Sequence, residues 1–138
     1  MDQIAPVRAK KPPLVIGDVD HRSLVSLALA MEKGLPNVSE ALLDELDRAR
    51  VVPQAKVPGQ TVQMGSTVRF ETKGAGTRQV TLVLPGEADI DAGRISVMTP
   101  IGAALIGLST GQSIRWHTRD GREQELTVLD VEPPAEAP

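Results

Sequence analysis

Arg94-Ile95-Ser96-Val97-Met98-Thr99-Pro100-Ile101-Gly102-Ala103-Ala104-Leu105-Ile106-Gly107-Leu108 changes period in its middle, and that change decides the fold. Residues 94–98 are β-prone and stop at Thr99. A threonine hydroxyl accepts from a backbone N–H one turn ahead, and Pro100 brings a helical φ to a position whose own N–H would have no partner. The pair predicts a helix start, with the helix running through Ile106 to Gly107. Gly102, Ala103 and Ala104 are small enough to let its backbone lie close on a sheet.

Outward from this helix the chain reads as strands. Residues 67–72 alternate Val68 and Phe70 against Arg69 and Glu71, the mark of a half-buried strand. Residues 78–84 form a nearly continuous β-branched run, and residues 113–118 and 123–131 form two more. Between the last two, Asp120-Gly121 is the dipeptide of a type I′ hairpin turn. Strands around one short helix give an α+β fold with an antiparallel sheet over residues 53–132.

The N-terminal side follows another period. Leu24, Leu27, Ala28, Met31 and Leu35 recur at helical spacing, with Asp18 or Asp20 as the expected N-cap and Gly34 as the stop. A second helix carries Leu42, Leu43, Leu46 and Ala49, with Asn37 and Glu40 spaced as a capping box. Gly34-Leu35-Pro36-Asn37 leaves room only for an antiparallel hairpin of short helices, over residues 14–52. Val51-Val52-Pro53 then opens a linker. Residues 1–13, with three prolines and three basic side chains, read as a disordered arm, and residues 133–138 as a tail.

Composition narrows the function. The 138 residues carry 15 basic and 18 acidic side chains, no Cys, one Phe and one Trp. Disulfide, thiolate-metal and thiol-nucleophile chemistry is therefore excluded. The net charge of −3 and two aromatic residues argue against direct nucleic-acid binding, which uses a basic face and stacking platforms. No run of apolar residues reaches membrane-spanning length, so the expectation is a cytoplasmic protein with no membrane contact.

Chemical motifs are sparse. Gly102 and Gly107 have the spacing of a phosphate loop, but Leu108-Ser109 follows where a lysine would be needed. Glu87, Asp89 and Asp91 share loop 85–93 without the longer donor series of a calcium loop, and read as a solvated turn. His21 and His117 lack a second ligand at i+4, and none of the serines stands in a nucleophile elbow. Asp44, Glu45 and Asp47 read as the wet face of the second helix, and Phe70 and Trp116 as core. No catalytic, metal or cofactor site is expected.

Met64 to Phe70, Val80 to Pro85, the opening segment and Gly111-Gln112-Ser113-Ile114-Arg115-Trp116 together resemble the C-terminal domain of the Gre transcript-cleavage factors. Leu35-Pro36, Ala41-Leu42 and Glu45-Leu46-Asp47-Arg48-Ala49 extend the resemblance through the second helix, to about residues 14–132. It implies an FK506-binding-protein-like β domain behind an N-terminal coiled coil. It also implies a partner, bacterial RNA polymerase, on which the β domain docks while the coiled coil enters the secondary channel. By position the docking segment is Met98, Thr99, Pro100 and Ile101, and the channel-facing tip is Lys33, Gly34, Leu35, Pro36 and Asn37. Gre factors carry two acidic residues at the tip of a longer coiled coil, where they help hold a catalytic Mg²⁺. This tip has neither. The expectation is a monomeric, non-catalytic regulator that competes with Gre factors at polymerase; the alternatives are a peptidyl-prolyl isomerase-like domain and an adaptor for another protein.

Overall fold

The computed structural model describes residues 11–118 and 120–134. Residues 1–10 of the expected arm and 135–138 of the expected tail lie outside the described residues.

Val15–Gly17 (β1) leads directly into the helix Asp18–Ala30 (α1), and the helix Pro36–Arg48 (α2) leads directly into Arg50–Val52 (β2). The two strands pair in parallel, Val15 opposite Arg50 and Gly17 opposite Val52. Where a linker was expected, the chain is hydrogen-bonded to its own entry strand, and Arg50 N–H also donates to Leu14 O at 2.9 Å. The pairing satisfies backbone groups beside Leu14 and Ile16, which are buried and could not turn those groups to water.

The helix caps differ from expectation as well. Gly17, not an aspartate, is the N-cap of α1, and its first turn is completed from elsewhere: Asp20 N–H donates to Gln54 Oε1 at 2.9 Å. Asp18 Oδ1 accepts instead from Gln54 N–H at 3.0 Å, and Asp20 Oδ2 from Met64 N–H at 3.2 Å. The aspartates thus tie the helix start to the following chain. The helix ends at Ala30, one turn before Gly34. In α2 the N-cap is Leu35 with Pro36 at N1, so Asn37 is already helical and caps nothing.

The second sheet comprises Thr67–Thr72 (β3), Gly76–Val83 (β4), Arg94–Ser96 (β5), Ser113–His117 (β6) and Glu123–Glu132 (β7), in the order β5-β4-β3-β7-β6. It is mixed rather than antiparallel, because β5 runs parallel to β4, with Thr81 opposite Arg94. Two short 3₁₀ turns, Pro85–Glu87 and Ile90–Ala92, bring the chain back far enough for that direction. A type I′ turn needs positive φ at both central residues. Between β6 and β7 Gly121 has φ +87° but Asp120 does not, and the wider loop is closed by Thr118 N–H to Arg122 O at 2.9 Å.

Pro100–Leu105 (α3) starts as its sequence predicts: Thr99 Oγ1 accepts from Gly102 N–H at 3.0 Å and donates to Ser96 O at 2.8 Å. Gly102 is required there, since a Cβ would stand 2.3 Å from Ser96 O. One apolar cluster joins both halves of the chain, with Leu24, Leu42 and Leu46 of the hairpin packed together with Phe70, Leu82, Leu105 and Leu126. Each such leucine contributes about 2 kcal/mol of burial. Among the described residues no helix is long and apolar enough to cross a membrane.

Candidate functional site: a docking groove and an inter-element cleft

The segment Met98 to Ile101 divides in two. Met98 is only 3% exposed, because the turn that ends β5 points its thioether into the core. It is thus a packing residue in this structure rather than part of a contact face. Thr99 is spent on its two cap hydrogen bonds. Pro100 and Ile101 are half-buried and line an apolar groove of about 300 Å³ with Ile90, Ile95 and Trp116. Ile90, in the lining of the groove, is 81% exposed, so a large apolar side chain stands in water there; Leu84, at the start of the same loop, is 43% exposed.

That loop is acidic yet holds itself. Asp89 Oδ1 accepts from Ala92 N–H at 3.3 Å, and its other oxygen lies 3.6 Å from the Arg94 guanidinium. Glu87 and Asp91 remain exposed, without an ion pair among the described residues. The described residues contain no group of three His, Asp or Glu side chains placed to hold a metal. His21 is used in the hairpin, its Nε2 lying 3.0 Å from Leu46 O, and His117 is exposed.

At the hairpin tip Lys33, Gly34, Pro36 and Asn37 are exposed, while Leu35 packs against the core. Glu32 and Glu40 line a shallow depression with Asp44. The tip and the docking segment converge: Asn37 of α2 and Pro100 of α3 line the same cleft, about 440 Å³ in volume, between α2, α3 and the end of β6.

Glu45 lies in the wall of this cleft and corrects the reading of α2's acidic face. Asp44 and Asp47 are exposed, but Glu45 is 6% exposed. Arg48 Nε donates to its Oε1 at 2.8 Å, and Lys11 Nζ to its Oε2 at 2.9 Å. Arg48 also donates to Pro12 O, and Gln112 Nε2 to Pro13 O, so residues 11–13 are strapped across the body. Trp116 is half-buried rather than core, lines both cavities, and has a buried Nε1–H without an acceptor among the described residues. The sequence signal of the groove is Ile90, an isoleucine set between Asp89 and Asp91.

A two-part chain, a hairpin of short helices whose base is strapped to a mixed β domain with a threonine-capped helix, is the arrangement to compare with known proteins. The family model for the transcription elongation factor GreA/GreB C-terminal part matches residues 57–133, and the model for the Rnk N-terminus matches residues 12–52. The chain belongs to the GreA/GreB family, with the N-terminal part of its Rnk-type members. The regulator of nucleoside diphosphate kinase of Escherichia coli is 37% identical over 129 residues, covering 92% of this chain and 94% of that one. The transcription elongation factor GreA of Rhodospirillum rubrum is 35% identical over 132 residues, covering 94% of this chain and 83% of its own. Among solved structures, a prokaryotic GreA/GreB transcription elongation factor from Nitrosomonas europaea superposes with a TM-score of 0.69 at 32% identity, over 88% of this chain and 99% of that one.

Proposed function

We propose that this protein is a cytoplasmic, non-catalytic transcription regulator that binds bacterial RNA polymerase near the secondary channel as a monomer and competes there with Gre-type factors, without stimulating transcript cleavage. The observation that carries the reading is the exposed apolar groove at Pro100 and Ile101, rimmed by the exposed Ile90, in a chain of the GreA/GreB family. Water-exposed apolar patches beside a groove mark protein contacts. The non-catalytic part rests on the tip, where Lys33, Gly34 and Asn37 stand in place of an acidic pair, and on helices of 13 residues, about 20 Å long, that lie against the β domain. An isomerase reading gains no support, since Phe70 is fully buried and supplies no aromatic pocket wall.

The test is capture of core RNA polymerase by the purified protein, together with displacement of a Gre factor. Wild type is expected to do both, and Pro100→Arg and Ile90→Asp to lose binding by more than tenfold while melting within a few degrees of wild type. Failure of wild type to bind, or normal binding by both variants, rejects the assignment. In a backtracked elongation complex with Mg²⁺, transcript cleavage by wild type would overturn the non-catalytic part.

A further inference from the structure

The cleft between α2, α3 and β6 adjoins the groove in which docking is placed, sharing Pro100 and Trp116 with it, and its chemistry is one-sided. Its apolar lining comes from Val38 and Ala41 of α2, Ala103 and Ala104 of α3 and Ile114 of β6. The three alanines are why the space exists: longer side chains there would close it. At about 440 Å³ it falls within the range of small-molecule sites.

Apart from Glu45, the charged side chains described in its lining, Lys11 and Arg115, are cationic. Glu45 is the only carboxylate in the lining, and both of its oxygens are engaged, Oε1 by Arg48 and Oε2 by Lys11. The Lys11 and Arg48 cations beside it offset its negative charge. The Lys11 ammonium has three N–H groups, of which Glu45 takes one, and its side chain is 50% exposed at the mouth. Arg115 on β6 is exposed and makes no ion pair among the described residues. Trp116 offers an aromatic surface, and its indole N–H lacks an acceptor among the described residues.

We infer that this cleft binds a small amphipathic anion, an apolar and preferably aromatic body seated on Ala41, Ala103, Ala104 and Trp116 with a carboxylate, sulfonate or phosphate group at Lys11 and Arg115. One wall belongs to the hairpin and the others to the β domain, so an occupant ties the two together. A ligand of this class regulates how firmly the hairpin is held on α3.

Trp116 makes the test direct, because it is the single Trp of a chain without Tyr. Anilinonaphthalene sulfonate is titrated while its emission is excited through Trp116, with neutral phenylnaphthylamine as the uncharged comparison. The expected result is saturable binding of one sulfonate probe per chain, at least tenfold tighter than the neutral probe. Lys11→Gln should weaken the sulfonate about tenfold, the scale of one charge-assisted hydrogen bond, and leave the neutral probe unchanged. Ala41→Leu, on an exposed helix position that tolerates leucine, should abolish binding of both; Ala41→Gln provides the same block should the leucine variant fail to fold. Ile90→Ser, which alters only the docking groove, should leave both affinities intact. Non-saturable binding, equal affinity for the two probes, or loss with Ile90→Ser but not with Ala41→Leu or Ala41→Gln would overturn the inference.

Discussion

Two helices begin in opposite ways. At α3 the cap is local: Thr99 receives the Gly102 N–H three residues ahead, and Pro100 needs no partner. At α1 the cap residue is Gly17, with no side chain to offer, and the first-turn N–H of Asp20 is satisfied by Gln54, 34 residues further on. A local cap lets a helix start wherever its sequence lies. A remote cap allows it only when the rest of the fold is in place, so α1 is a helix whose start reports that hairpin and β domain are joined.

The sharpest way to break the local side is Gly102→Ala. Its Cβ would meet Ser96 O at 2.3 Å and Val97 Cα at 2.9 Å, both backbone atoms that move only with β5. Overpacking of this kind costs about 2–3 kcal/mol and should lower Tm on the order of 5–10 °C. Next is Gln54→Ala, which removes the remote acceptor of the Asp20 N–H and should cost about 1–2 kcal/mol. Thr99→Ala should cost about 1 kcal/mol. The two differ in kind as well as size: hydrogen exchange should rise in α1 for the Gln54 variant and in α3 for the Thr99 variant. Exchange confined to residues 54–56 would show that Gln54 is not the cap.

Asn37→Ala tests the expected capping box that the structure lacks. Asn37 is helical and exposed, so the change should stay within about 0.5 kcal/mol, and a denaturation midpoint shifted by more would restore a capping role. The smallest effect belongs to the exposed β6–β7 loop. The Thr118 hydroxyl hydrogen bond, with help from Arg122, holds the Asp120 carboxyl below its usual 3.8. A carboxylate with a lowered folded-state pKa contributes stability above its unfolded pKa and loses it as pH falls through the folded value. The difference between wild type and Asp120→Asn should therefore be small and constant from pH 5 to 8, and should shrink only below pH 4. A difference that changes around neutrality would refute this assignment.

The same contrast explains what was legible in the sequence. The strand of Val68 and Phe70, and the helix start at Thr99-Pro100, depend on neighbours within four residues and were readable. The closure of β1 on β2, the parallel placement of β5 and the burial of Glu45 depend on partners tens of residues away. Lys11 and Glu45 are 34 apart, and nothing in the helical spacing of α2 says that one of the three acidic residues Asp44, Glu45 and Asp47 will be covered. The docking segment expected from resemblance is one stretch of sequence, but its division into buried Met98 and accessible Pro100 and Ile101 required the third dimension. Glu32 and Glu40 were readable as helix-end residues, and their shared depression with Asp44 was not.

The short parallel pair at the base of the hairpin has a mechanical consequence. The hairpin leaves β1 at Gly17 and returns to β2 at Arg50, and these two residues lie at opposite ends of the ladder, Gly17 facing Val52 and Arg50 facing Val15. Parting the ladder at Gly17 therefore leaves the return point at Arg50 still paired at the far end, and parting it at Arg50 leaves Gly17 still paired. A hairpin of this kind can bear against a much larger body, at a short lever arm, without peeling away from its own root.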